Sequence, residues 1–522
     1  MPRPNLHNKP DKPAPPSFHE DDSRAWAIIA CALFIARIMP WSLAELWHDE
    51  VLTMRYFVLG SEGSSLLSVF RNYSMANNHF LNSAIYWWWV RFLEFSFTEH
   101  VLRWPSIFFG LLCILLTVFH WRKFIGRRMA AIMSLTFAIS PVFTAFAYQV
   151  RGYSLAMFLS FWATSGLLEL LYGDARRGQY WLAISCFLLP LVMPSAAMLG
   201  GSMALFLFWH FISRGQGFAR SLGVALPAFA ATLLSSLYYL HIWDQFKAAA
   251  ASAGGWPSSW LCAGNVALGF AAHLGPLVFV LLFFFAYRLP GVFARRADKS
   301  VTAARLLLCC LLPIALLLVL RLGGRAPFPR VFLVYLPPLS LAAAFIAKSL
   351  PLIRRLKLLY LIFFVLLSGC LIERYCHSLT QRQVLAGAAP QNLLQQYYRN
   401  NGDNRDAVVF IRNNGFVGSS LVIVNEWDAP SFSYYWQVSA LPMQAIFVGN
   451  LMPEGFWLNP EFSRYGLLVQ ARNESEASQL FNKAGYKGVF HIAHKGELRQ
   501  VYAIGYGGER KTENFEFARG KE

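Results

Sequence analysis

Trp47-His48-Asp49-Glu50 places two adjacent carboxylates where a long apolar run ends. A carboxylate in such a place can serve as a general base, taking a proton from an attacking hydroxyl. Further residues able to take part follow in short groups: Asn77-Asn78-His79, Arg103, Gln149-Val150-Arg151-Gly152-Tyr153, and Arg325 with Arg330. Arginine clamps a phosphate through paired N–H donors, so acids, arginines and amides together suit chemistry on a phosphate-bearing substrate. Each residue also has an ordinary structural use. Solvated acids end many helices, His79 can be an interfacial polar residue, and Tyr153 can pack with its hydroxyl at the interface. Arg103 and Arg151 can snorkel or pair with Asp49 or Glu50.

The elements that must position these residues are membrane helices. Of 522 residues, 56% are hydrophobic and only 14% are charged, below the roughly 25% of soluble domains. The net charge of +18 invites a nucleic-acid reading, but the Lys and Arg residues cluster in alternate short loops. That is the positive-inside pattern of a polytopic membrane protein, and no nucleic-acid partner is expected. Residues 25–46 supply the roughly twenty apolar residues that cross a bilayer, and they read as a retained first span, not a cleaved signal. About ten further spans follow, at roughly 101–121, 129–147, 153–172, two within 180–212 broken near Pro190 and Pro194, 221–242, 260–288, 301–320, 331–347 and 358–373. Basic residues such as Arg127, Arg128, Arg176, Arg177, Arg295, Arg296, Arg354 and Arg355 mark the cytoplasmic ends. About eleven spans then put the N-terminus inside and the C-terminus outside a bacterial inner (plasma) membrane, with Asp49 and its companions on the outer face.

Residues 1–24 are Pro-rich and polar and read as a disordered cytoplasmic arm. The transmembrane domain covers 25–376, with a long first outer loop over 47–100 holding short interfacial helices near 50–59 and 81–95. Trp87-Trp88-Trp89 within it reads as a belt anchor ahead of a sugar-stacking platform. Residues 380–506 alternate strand and helix patterns, including an Asn473-x-x-Glu476 cap, and read as an extracytoplasmic α/β domain before a polar tail at 507–522. Eight cysteines, at 31, 113, 186, 262, 309, 310, 370 and 376, show no CxxC or metal-ligand spacing and read as buried thiols. No metal site is expected, and a divalent metal requirement is left open. Ionisable residues are scarce in mid-span, which argues against an ion-coupled transporter and for surface chemistry on an amphiphile.

In this order the motifs resemble those of the GT-C membrane glycosyltransferases, in the branch of the protein O-mannosyltransferases and bacterial lipid A aminoarabinose transferases. The matching stretches are Trp47-His48-Asp49-Glu50, Asn78-His79-Phe80-Leu81, Leu102-Arg103-Trp104-Pro105-Ser106, Ser140-Pro141 with Gln149-Val150-Arg151-Gly152-Tyr153, and Pro329-Arg330. They span roughly the first 340 residues. The resemblance implies a mainly α GT-C-like fold, a polyprenyl-phosphate sugar as donor, Asp49 as catalytic base with Glu50 organising the site, and Arg103, Arg151 and Arg330 as phosphate or active-site cations. His79, Gln149 and Tyr153 join the implied substrate-binding set. Two departures stand out. Asn78-His79-Phe80-Leu81 replaces the His-Pro-Pro or Lys-Pro-Pro of many relatives, and Met193-Pro194-Ser195 replaces a Thr-His-Tyr break.

The expected activity is therefore sugar transfer from the lipid carrier to an extracytoplasmic acceptor, which can be lipid A, a polysaccharide or a protein. A flippase or transporter of lipid-linked sugars, and a non-catalytic envelope assembly factor, are the rival classes.

Overall fold

The computed structural model describes residues 23–60, 65–74, 78–94, 98–252, 259–274, 299–320, 329–349, 404–413, 420–424, 429–439, 446–448, 466–483, 491–495 and 500–504. The first helix, α1 (Ser23–Leu43), precedes α2 (His48–Leu52), which continues as a π-helical stretch over Thr53–Val58. Two further helices, α3 (Leu66–Arg71) and α4 (Phe80–Phe92), complete the described part of the first loop. Next, α5 (Glu99–Leu115) runs through π-helical Leu116–Trp121 into α6 (Arg122–Ile125). The helices α7 (Arg127–Ile139) and α8 (Pro141–Ala147) meet at a 62° bend. Ser140 explains it: its Oγ accepts the Phe143 N–H at 3.2 Å while Pro141 opens the new helix without a donor to lose.

Then come α9 (Tyr153–Tyr172), α10 (Ala175–Val192), α11 (Ala197–Ile212), α12 (Phe218–Ser236), α13 (Tyr238–His241), α14 (Trp243–Ser252), α15 (Ser259–Leu274) and α16 (Lys299–Leu320). A 3-10 segment, Pro329–Tyr335, leads into α17 (Leu336–Ser349). Among the described residues six helices are long and apolar enough to cross a membrane, or seven if α7 and α8 form one span. The chain is thus mostly helical and built for a bilayer. The expected span at 358–373 lies outside the described residues, as do Asn77, Arg325 and the stretch 275–298. Pro190 does not break its helix, since α10 continues to Val192 and the interruption falls at Met193 and the 3-10 turn Pro194–Ala196.

The helices pack most closely where side chains vanish. A Cβ on Gly178 would lie 2.3 Å from the Leu170 backbone nitrogen, and one on Gly166 would lie 2.7 Å from that of Leu182. Facing glycines let α9 and α10 touch backbone to backbone, the usual small-residue contact of membrane helices. Trp121 stacks on Phe161 at 5.1 Å and donates its indole N–H to Ser165 Oγ at 2.9 Å, which gives its one polar atom a partner in the core.

The described C-terminal residues form a five-stranded mixed sheet, β1 (Ser420–Val424), β2 (Ile446–Val448), β3 (Gly466–Ala471), β4 (His491–Lys495) and β5 (Gln500–Ile504), in the order β2-β1-β3-β5-β4. β1 lies parallel to both β2 and β3, and β5 lies antiparallel between β3 and β4. Three helices accompany it, α18 (Asn404–Asn413), α19 (Ala429–Val438) and α20 (Glu474–Lys483). Asn473 Oδ1 caps α20 by accepting the Glu476 N–H at 2.9 Å, and the Glu476 carboxylate accepts the Arg472 N–H at 2.8 Å.

This unit is fastened to the segment that carries Asp49. The Glu45 carboxylate accepts the backbone N–H groups of Asn404 at 3.1 Å and Arg405 at 2.7 Å, and so caps α18 from a distant part of the chain. Leu46 N–H donates to Tyr435 Oη at 2.6 Å, and Arg405 pairs with Glu99 at 3.0 Å. Charge-assisted hydrogen bonds of this kind are worth about 1.5 to 3 kcal/mol. Glu45→Ala should therefore raise the rate at which added protease cleaves the 404–504 unit from detergent-solubilised protein on the order of tenfold. An unchanged rate would show that Glu45 does not hold the two parts together.

Candidate active site

Four stretches converge at the end of α1: the Trp47–Glu50 segment, the first turns of α5, the turn 148–152 between α8 and α9, and Arg330 at the start of its 3-10 segment. Their placement rests on Glu50, which has no solvent exposure. Its Oε2 accepts from Arg103 Nη2 at 2.7 Å and from the Trp47 N–H at 2.7 Å. Its Oε1 accepts from Arg103 Nε at 3.2 Å and from the Val150 N–H at 2.7 Å. One carboxylate thereby ties α2, α5 and the 148–152 turn together.

Arg103 is used as completely. Besides Glu50, its Nη1 donates to the carbonyls of Trp41, Ser42 and Ala44, and its Nη2 to that of Glu45. These are orphan carbonyls at the C-terminal end of α1, where a cation is also favoured by the helix dipole. All three guanidinium nitrogens are occupied, so the expectation that Arg103 clamps a phosphate is corrected: it has no N–H left to offer. The catalytic expectation for Glu50 changes in the same way, because every direction around its carboxylate is filled by protein.

Asp49 faces elsewhere. Its Oδ2 lies 3.1 Å from Arg151 Nη1 and 3.2 Å from Arg330 Nη2, and its side chain keeps 15% of its exposure. Consecutive residues on a helix point about 100° apart, so Glu50 can be locked in protein while Asp49 looks into the site. Arg330 lies over the Trp47 ring at 5.3 Å. Arg151 lies over the Tyr153 ring at 5.3 Å and donates from Nη2 to the Tyr153 hydroxyl at 3.2 Å.

The turn carrying Arg151 is held from α5. Ser106 Oγ donates to the Gln149 carbonyl at 2.5 Å, Ser154 Oγ donates to the Ser106 carbonyl at 2.5 Å, and the Arg151 N–H closes onto the Gln149 carbonyl at 2.7 Å. Gln149 Nε2 donates to the Ala145 carbonyl at 2.9 Å. His79 sits beneath this turn with its ring edge-on to Tyr153 at 5.6 Å and Nδ1 2.9 Å from the Val192 carbonyl. Gly152 is required here, since a Cβ would meet the His79 ring at 2.7 Å. Burial, followed by the charge of Arg151, pushes the His79 pKa down to about 3, so the ring is neutral at physiological pH. Among the described residues no group of three or more His, Cys, Asp or Glu gathers to hold a metal.

Of the sequence candidates, the structure thus brings Asp49, Arg151, Arg330, Tyr153, Gln149 and His79 into one cluster, with Glu50 and Arg103 behind it. Glu45 was not foreseen. Its signal in the sequence is a lone acid inside the apolar run, four residues before Asp49.

No family model matches the chain, and no curated protein matches it. Solved structures do. The ArnT structure from Cupriavidus metallidurans bound to undecaprenyl phosphate superposes with a TM-score of 0.53 at 11% identity, over 92% of this chain and 97% of that one. The chain shares the fold of that ArnT structure. The apo form of the same ArnT gives a TM-score of 0.49 at 13% identity, over 92% of this chain and 97% of that one. The oligosaccharyltransferase of Archaeoglobus fulgidus gives 0.48 at 13% identity, over 91% of this chain and 70% of that one. In this helical scaffold the buried Glu50–Arg103 pair should be the costliest polar contact to break. Glu50→Ala leaves a guanidinium buried without its counter-charge, a loss of about 3 to 5 kcal/mol, to be read as a lower melting temperature in detergent. A melting temperature equal to that of the parent would contradict the structural role assigned to Glu50.

Proposed function

We propose that the protein is an integral-membrane glycosyltransferase that moves a sugar from a polyprenyl-phosphate carrier to an acceptor on the outer side of a bacterial inner membrane. The observation that carries this reading is the pairing of Asp49 with two arginines, Arg151 and Arg330, at one end of a GT-C helical scaffold. A carboxylate supplies the base for an acceptor hydroxyl, and two guanidinium groups supply the clamp for a leaving phosphate.

In this reading the arginines serve twice. Before the donor arrives they neutralise Asp49. The donor's phosphate then competes for the same guanidinium groups, and as they turn to it Asp49 is released to take the acceptor's proton. The acceptor oxygen attacks the anomeric carbon from the face opposite the phosphate, the glycosidic C–O bond breaks, and the lipid phosphate leaves with both electrons and its charge held by Arg151 and Arg330. The product is inverted at that carbon. Trp47, under Arg330, and Tyr153, under Arg151, hold the two cations in place through their ring faces.

The arrangement of basic loops supports about eleven spans with the N-terminus in the cytoplasm. The contacts of Glu45, Leu46 and Glu99 with the C-terminal sheet unit support a position for that unit on the Asp49 side, hence outside, where it can help to receive an acceptor.

Asp49→Asn should reduce single-turnover transfer from a purified polyprenyl-phosphate sugar by about 10² to 10⁴, with an unchanged elution volume in gel filtration as the folding control. Turnover within a few-fold of the parent would remove Asp49 from the mechanism. Arg151→Lys and Arg330→Lys should each cost roughly ten- to a hundredfold in the same assay, because a point charge replaces a planar fork. Topology has its own check. Residues 404–504 should be cut by protease added to intact spheroplasts, and protection until lysis would invert the whole arrangement.

A further inference from the structure

The histidine beneath the Gln149–Arg151 turn carries information that its neighbours do not. A carbonyl oxygen can only accept a hydrogen bond, so His79 Nδ1, 2.9 Å from the Val192 carbonyl, carries the ring proton. The neutral ring then presents Nε2 as a bare lone pair. This atom is buried, in a side chain with 4% exposure, and among the described residues it has no hydrogen-bond partner. Leaving a buried acceptor unmet is costly, so such an atom calls for a partner that a ligand can supply.

A lone pair repels a phosphate oxygen and has no proton to give it. What it can receive is an O–H. The same logic applies to Gln149. Its Nε2 donates to the Ala145 carbonyl, so its Oε1 is an acceptor, and that atom too is buried and without a hydrogen-bond partner among the described residues. Two unmet acceptors therefore belong to the turn that carries Arg151 and to the histidine packed against it. A phosphate would seek only donors, whereas a ring bearing several hydroxyls seeks acceptors.

We infer that His79 Nε2 accepts a hydrogen bond from a hydroxyl of the donor's sugar, so that His79 reads the sugar while Arg151 and Arg330 read the phosphate, an inference that rests on the lipid-linked donor proposed above. The ring is held for this purpose. Tyr153 meets it edge-on, Val192 fixes its tautomer, and the missing side chain of Gly152 leaves it room.

The test uses full-length protein in detergent and two kinds of probe. One is undecaprenyl phosphate without sugar. The other is whichever of undecaprenyl-phosphate mannose, glucose, galactose, N-acetylglucosamine or aminoarabinose the parent binds most tightly. In His79→Asn the amide nitrogen can stand in for Nδ1 and keep the Val192 contact, but nothing replaces Nε2. In His79→Gln the amide reaches the Nε2 position with an acceptor oxygen. The Asn variant should lose about 5- to 30-fold in affinity for the sugar-bearing lipid while binding undecaprenyl phosphate within about twofold of the parent. The Gln variant should recover most of the loss. Equal weakening for both lipids, or no weakening for either, overturns the assignment of His79 while leaving the lipid-linked donor intact. A parent protein that binds neither kind of lipid overturns the donor reading itself, and this inference with it. Retained binding of the bare lipid doubles as the folding control.

Discussion

The arrangement around Asp49 depends on a neighbouring carboxylate that is wholly engaged by the protein itself. Glu50 is buried, and its two oxygens gather a guanidinium and two backbone N–H groups from three separated stretches of chain. Arg103 extends the reach of that contact by closing the carbonyls at the end of α1. A buried ion pair of this kind contributes little net stability against an apolar substitute, yet it admits one geometry and penalises others. Its effect is therefore specificity of arrangement: with Glu50 locked, Asp49 one residue earlier points toward Arg151 and Arg330, and the turn carrying Arg151 is pinned through Val150 and Ser106. Precision at Asp49 comes from satisfied hydrogen bonds at its neighbour.

Much of this was visible in the residues themselves, and the limits are physical. Apolar length and basic loops lead one to expect the acids, the Arg151 turn and Arg330 on one face, and Asp49 lies within 3.2 Å of both arginines. The Asn473-x-x-Glu476 cap also follows from local pattern, because its cause lies within a few residues. What local pattern does not contain is the partner of a charge. Arg103 has the same sequence character as Arg151, a cation near a helix end, yet one is consumed by α1 and Glu50 and the other faces Asp49. Asp49 and Glu50 cannot be told apart in the sequence for the same reason. The role of Glu45 is not legible locally because its partners are the N–H groups of a helix that begins at Asn404.

Polar contacts also recur where α7 turns into α8. His273 on α15 bridges Ser140 Oγ at 2.8 Å and Ser340 Oγ at 2.9 Å, and so joins the bend to α17, the helix that follows Arg330. The bend frees backbone groups that lipid cannot satisfy, and protein side chains take over that task. The bend and the helix after Arg330 are thereby linked by fully paired groups.

The cap that Glu45 places on α18 sets an order of events during synthesis. Glu45 leaves the ribosome well before α18, and the Asn404 N–H that donates to it follows 359 residues later. At about 5 to 20 residues per second, roughly 20 to 70 seconds separate the two. For that interval the helices are being inserted without the Asn404 and Arg405 N–H groups that donate to the carboxylate in the finished fold. The segment that carries α18 and α19 therefore closes the first loop after the helices before it are made, and a chain truncated before residue 404 would carry Asp49 and its two arginines without the contacts at Glu45, Leu46 and Glu99 that complete their surroundings.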